Sequence, residues 1–187
     1  MRLLDGFDLA LDAFSERVHR VGGDQWDTQT PCAAWSVRGL VNHLTSEHLW
    51  APWLLRGAAL DEVGDRFDGD VLGDDPVAAW DGAAAGSRAA FHASGALDTP
   101  VQTSGGPTQA EEYLSQMTLD LAVHGWDLAR GIEVDDRIDP GVADLLLGYA
   151  EEKSAAWQSL GIFAPPVAVP DSASPQDRLV AALGRRP

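Results

Sequence analysis

The sequence predicts an all-α fold: a four-helix bundle with an additional C-terminal helix and an extended, proline-rich tail. Three observations predict it. Apolar residues recur at steps of three and four along several long segments, as in helices with one buried face. Capping residues, glycine or proline bracket those segments. No stretch alternates strongly enough to read as a strand pattern, and no internal repeat stands out. The 187 residues suffice for one domain with its own core, a four-helix part over 1–131 followed by an extra helix and a wrapped tail over 132–187.

The first helix carries Leu4, Phe7, Leu11, Phe14, Val18 and Val21 on one face and ends at Gly22-Gly23. Its polar side includes Asp5, Asp8, Asp12, Glu16 and Arg17, and His19 lies off the apolar stripe as a solvated residue. A connector follows over 23–35, where Trp26 and Trp35 are large enough to pin the loop to the body. Cys32 precedes a helix start, a place that can lower a thiol pKa, but with no adjacent base it reads as packed and unreactive. Ser36 caps a second helix running to about Arg56-Gly57, with Leu40, His43, Glu47, Trp50 and Leu54 on one face and His48 pointing away from it. Residues 58–75 are rich in Gly and Asp and read as an exposed loop.

Asp75-Pro76 opens a third helix with Val77, Trp80, Ala84, Ala90 and Phe91 as core and His92 near its end. The run 97–107 is a turn-rich connector with a short extended piece at Val101–Thr103. Thr108-Gln-Ala-Glu111 has the form of a capping box for a fourth helix, which Gly131 terminates. Asp139-Pro140 opens a fifth helix to about Leu160. Phe163 to Pro170 is extended, and a short helix ends near Leu183.

With 29 acidic and 13 basic residues the formal net charge is −16. A surface so acidic argues against nucleic acid and anionic membrane as partners, because neutralising phosphates needs basic residues. No apolar run approaches the roughly 18–20 residues of a membrane span. Acids near the start interrupt what would be the apolar core of a signal peptide, so a cytoplasmic location is expected. One cysteine excludes an internal disulfide framework and a cysteine-based zinc knuckle.

The fourth helix holds Asp120, His124 and Asp127 in one stripe with Tyr113 and Met117, facing inward. Buried ionisable groups need partners or a metal. An internal Asp–His hydrogen bond satisfies Asp120 and His124 if they stand alone. With His43 arriving from the second helix, two imidazoles and a carboxylate form a donor set suited to a divalent transition metal with open positions. Glu47 reads as a fourth ligand or a group that moves protons. Asp127 reads as a residue that orients an imidazole, receives Arg130 or moves protons itself. Trp50, Trp53 and Trp126 are candidate pocket walls or core.

Trp35-Ser-Val-Arg-Gly-Leu-Val-Asn-His43-Leu and Asp120-Leu-Ala-Val-His124-Gly-Trp-Asp-Leu-Ala129 together resemble the mycothiol-dependent maleylpyruvate isomerase N-terminal family, of the DinB-like metal-binding superfamily. The tail from Phe163 to Pro187 is similar to a single-domain subgroup of it. The resemblance implies a DinB-like bundle binding a divalent metal, zinc first and nickel second, through His43, Asp120 and His124. It implies mycothiol as cosubstrate and a thiol S-transferase acting on small electrophiles, a detoxification chemistry. In the isomerase the acid is a glutamate, and a C-terminal domain helps form the thiol site. Here a helix and tail follow instead, so maleylpyruvate isomerisation itself is not carried over. A metal-dependent hydrolase on the same bundle and a non-catalytic stress-response binding protein are the alternatives. Related bundles often dimerise, which leaves a homodimer open.

Overall fold

Phe7, Leu11, Phe14 and Val18 repeat with helical spacing, and all four are buried along the first helix, α1 (Leu3–Val18). Burying one such side chain contributes about 1.5–3 kcal/mol relative to leaving it in water. The computed structural model describes residues 1–161 and 163–187. In chain order follow α2 (Val37–Leu55), α3 (Leu60–Val63), α4 (Pro76–Phe91), a hairpin of β1 (Val101–Thr103) and β2 (Gly106–Thr108), α5 (Ala110–Gly131), α6 (Pro140–Ser159) and α7 (Pro175–Ala182). The fold is all-α apart from that antiparallel hairpin, in which Val101 pairs Thr108.

Helices α1, α5, α2 and α4 close a ring, each packed against the next, and α6 and α7 lie against each other beside it. Phe14 and Trp80 meet at 4.6 Å, Phe7 and Phe91 at 4.9 Å, and the Trp80 indole donates to Ser15 Oγ at 2.9 Å. The expected caps at Ser36, Asp75 and Asp139 each accept a backbone N–H, and Ser174 does the same at the start of α7.

Several expectations are corrected. Thr108 does not cap α5. It sits in β2, its hydroxyl bonds to Gly106 O and Thr103 Oγ1, and Gln109 occupies the N-cap without a side-chain bond. The hairpin has taken the residue that would have capped. Gly131 is not the left-handed stop of α5. That role falls to Glu133 (φ 59), with Val134 N bonding Ala129 O at 2.9 Å. At Gly131 the missing side chain instead admits Thr30 and Val37, which a Cβ would meet at 3.2 and 3.3 Å. The end of α5 is thereby pressed onto the 26–37 connector. Arg17, assigned to a polar face, is buried and donates to Asp135 O and Arg137 O. The 58–75 segment is largely exposed, but it contains α3 and buries Val63 and Leu72. Asn42 and Ser46 on α2 hold it by hydrogen bonds to Gly69, Val71 and Phe67.

His48 departs furthest from expectation. It is fully buried, 5.2 Å from the Trp80 ring and 6.2 Å from Phe7, and neither ring nitrogen has a hydrogen-bond partner. Helix α2 packs on α4 on one side and α5 on the other, so it has two buried faces rather than one.

Candidate metal centre

His43 stands on α2, and Asp120 and His124 stand one turn apart on α5, where the two helices pack. His43 Nε2 is 3.6 Å from Asp120 Oδ2, and His124 Nε2 is 4.0 Å from Asp120 Oδ1. The imidazoles meet edge to face, with ring centroids 5.5 Å apart. One donor atom from each of the three lies within 4.8 Å of the others. These separations are too long for hydrogen bonds. They approach the ~3.4 Å between neighbouring donors in a tetrahedral site with bonds of about 2.0–2.1 Å. The donor set and its spacing therefore fit a small divalent cation.

The second nitrogen of His124 is committed. Nδ1 lies 3.0 Å from Asp127 Oδ2, and Asp127 has no exposed surface. A carboxylate only accepts, so Nδ1 carries the proton and Nε2 keeps its lone pair toward Asp120 and His43. Asp127 is held in turn by Arg185, with Nη2 to Oδ2 at 2.8 Å and Nε to Oδ1 at 3.3 Å. Burial works against the charge of Asp127, but His124 and Arg185 hold its carboxyl below the usual range. Arg130, the partner expected for Asp127, pairs with Asp136 at 3.1 Å and lies over Trp126.

The sequence did not reveal Arg185, which is followed by only two residues of the 187. Its approach depends on Gly184, whose φ is 83° and whose absent Cβ would fall 2.6 Å from the Ala164 Cβ. Only glycine allows the tail to lie this close to the 163–167 segment, where Val167 N bonds Ala181 O. Trp35 does more than pin its loop. It stacks on His43 at 4.4 Å and presents an edge to His124 at 5.3 Å, restricting both rings. Thr30 fixes that loop by donating to Trp35 O and Cys32 O.

Cys32 is drawn close to His124 and Asp127. Burial pushes its thiol up, in keeping with a packed residue. Asp127 is already engaged by two donors, so the Cys32 grouping offers no free carboxylate for a second centre.

Two cavities meet at the centre, sharing Asp120 and Phe163 in their walls. One, of about 460 Å³, is bounded by Cys32, Trp35, His43, His124 and Arg185. The other, of about 690 Å³, is bounded by Glu47, Trp50, Tyr113, Met117 and Trp157. Glu47 lies outside the three-donor cluster, and burial, then the neighbouring Asp120, push its carboxyl up. Burial alone would lower the His43 imidazole, but the Asp120 carboxylate overrides it and raises the pKa. For Asp120 burial acts upward, and the two histidines and Arg185 bring it below the ordinary value. Of the three tryptophans considered as pocket walls, Trp50 lines the larger cavity. Trp126 is core, and Trp53 carries Arg56 and Arg66 over its ring. His19 and His92 pair with Asp81 and Asp8 at the surface.

Fold and donor set together define a DinB-like helical bundle with a candidate metal centre between two of its helices. The chain belongs to the mycothiol maleylpyruvate isomerase N-terminal domain family, whose model matches residues 7–129. That match includes His43, Asp120, His124 and Asp127 and stops well short of Arg185. Two uncharacterized proteins, from two strains of Mycobacterium tuberculosis, are each 29% identical to the chain over 188 residues, covering 94% of it and 93% of their own length. No solved structure matches. Among the described residues no helix is long and apolar enough to cross a membrane.

Proposed function

We propose that the chain is a metal-dependent S-transferase that joins a low-molecular-weight thiol, mycothiol, to a small electrophile. His43, Asp120 and His124 would hold a divalent metal, zinc before nickel. What carries the reading is the convergence of their donors from two helices where two cavities meet. A divalent cation there supplies Lewis acidity that keeps a thiol ionised at neutral pH.

The chain's own residues do the rest. Asp127 fixes the His124 tautomer, and Arg185 keeps Asp127 anionic in a buried place. Trp35 excludes water from one side of His43. The smaller cavity receives the thiol and the larger one the electrophile. The thiol proton passes to the Glu47 carboxylate, the sulfur–carbon bond forms, and Glu47 returns the proton to the carbanion or oxyanion of the adduct. The raised pKa of Glu47 suits this exchange.

The test starts with elemental analysis of protein purified without chelator or nickel resin. Incubation with mycothiol and an activated alkene follows, with the adduct read by mass spectrometry. Stoichiometric metal and an adduct dependent on His43 and His124 are expected. Metal without adduct, together with ester cleavage, moves the assignment to hydrolysis. Absence of metal removes the enzyme reading and leaves a binding protein.

A further inference from the structure

The wall of the larger cavity has an unusual charge balance for a site open to polar substrates. Among the described residues that line it there is no lysine, arginine or histidine, while Glu47 and Asp120 both contribute carboxyl groups. Lys153, on the same helix as Trp157, is outside the lining and faces Glu112 at 3.7 Å and Glu152 at 3.6 Å. Thr103, Ser104, Thr108 and Gln116 add only neutral polar groups, and Trp50, Trp157, Phe163, Met117 and Leu54 supply the aromatic and apolar part of the wall. Tyr113, also in the wall, has a buried hydroxyl without a hydrogen-bond partner. Trp157 and Phe163 stack edge to face at 5.4 Å, and Trp50 leans on Phe67 at 5.9 Å, so the aromatic surface is braced from behind.

We infer that this cavity selects an uncharged or cationic aromatic compound and excludes anions, with Glu47 as the residue that sets the preference. Naming that compound as the electrophile rests on the thiol-transfer reading. The charge argument holds with or without a metal. A divalent cation at His43, Asp120 and His124 would be balanced by Asp120 together with the Glu47 carboxylate or, once Glu47 holds the thiol proton, with the thiolate, so no net positive charge is left for an anion. With no cation bound, two carboxyl groups face the ligand. A dicarboxylate meets only neutral donors here and no cationic side chain in either state, and burying an anion without a counter-charge is costly. A flat apolar body with an ammonium, hydroxyl or carbonyl group fits the aromatic wall and its acceptors.

The experiment uses the metal-loaded full chain and three probes of one shape: benzylamine, benzyl alcohol and benzoate. Binding is read from quenching of tryptophan fluorescence at neutral pH in about 150 mM salt, which screens the long-range field of the acidic surface. Benzylamine is expected to bind about tenfold or more tighter than benzoate, with the alcohol between them. In Glu47→Gln that ratio falls to within about threefold. Glu47→Asp keeps the order. Trp157→Ala weakens all three probes alike and checks the aromatic wall independently of Glu47. Benzoate binding as tightly as benzylamine overturns the inference, as does an unchanged ratio in Glu47→Gln or failure of all three probes to bind. Metal content measured on the same preparations separates the two ideas. Metal-free protein with the probe order intact counts against the enzyme and not against the cavity's selectivity. Full metal occupancy with benzoate preferred does the reverse.

Discussion

His48 makes the acid stability of this protein predictable from one side chain. Its ring is sealed among Phe7 and Trp80 with both nitrogens unpartnered, and its pKa is lowered to about 3. Burial is the main cause, Asp120 opposes it and His43 adds to it. An unfolded histidine titrates near 6.5, so below that pH the unfolded chain takes up a proton that the folded chain refuses. Stability from this residue is therefore intact above about pH 6.5 and falls steadily toward pH 3. Over the whole window the loss is on the order of 5 kcal/mol, and by pH 5 it has reached about 2 kcal/mol. That is a substantial part of the 5–15 kcal/mol typical of a domain.

His48→Leu removes the titrating group at similar volume. Its urea unfolding, followed by tryptophan fluorescence with chelator present, is to be compared with that of the parent chain at about pH 7.5 and pH 5. At the higher pH the variant is expected to be as stable or more so, because an unmet buried donor costs roughly 1–3 kcal/mol. The gap should widen by about 2 kcal/mol at the lower pH. Groups common to both chains cancel in that difference. A gap that does not change with pH would show that the His48 ring reaches water, and the packing between α1, α2 and α4 described above would be wrong.

Further outcomes follow from the tail. Arg185→Met leaves Asp127 buried without its cation and is expected to cost about 3–5 kcal/mol in denaturant unfolding. It should also weaken metal affinity roughly 10–100-fold in a competition titration, since the His124 orientation is lost with it. A variant with unchanged stability and affinity would mean Arg185 is incidental. Gly184→Ala should reproduce both effects in part, through about 1–2 kcal/mol of left-handed strain and the clash with Ala164. Its thermal melt is the check, and a melt equal to the parent's contradicts the close approach. Cys32→Ala is expected to leave metal stoichiometry unchanged by elemental analysis. A drop would mean that the thiol, not Asp120, completes the donor set.

Much of the fold was legible in order of sequence. Apolar steps of three and four located α1, α2, α4, α5 and α6, and Ser36, Asp75 and Asp139 located where three helices begin. Asp120 and His124 were legible as one stripe because residues four apart share a helix face whatever surrounds them. His43 was legible by the same rule on α2, and its pairing with that stripe needed only the assumption that the two faces meet. His48 was misread because a single apolar stripe describes a helix with one buried side. The ring of four helices gives α2 a second buried side that periodicity does not distinguish from solvent.

The sequence by itself determined the long helices, the acidic surface and the three candidate donors, all consequences of composition or of spacing along a helix. Tertiary structure alone decided that Trp35 lies over His43, that the left-handed turn after α5 falls at Glu133 and not at Gly131, and that Arg185 returns across 58 residues to hold Asp127. Those contacts depend on how the chain closes in space. Closure is set by long-range packing, such as the approach of Gly184 to Ala164, which no local pattern of residues records.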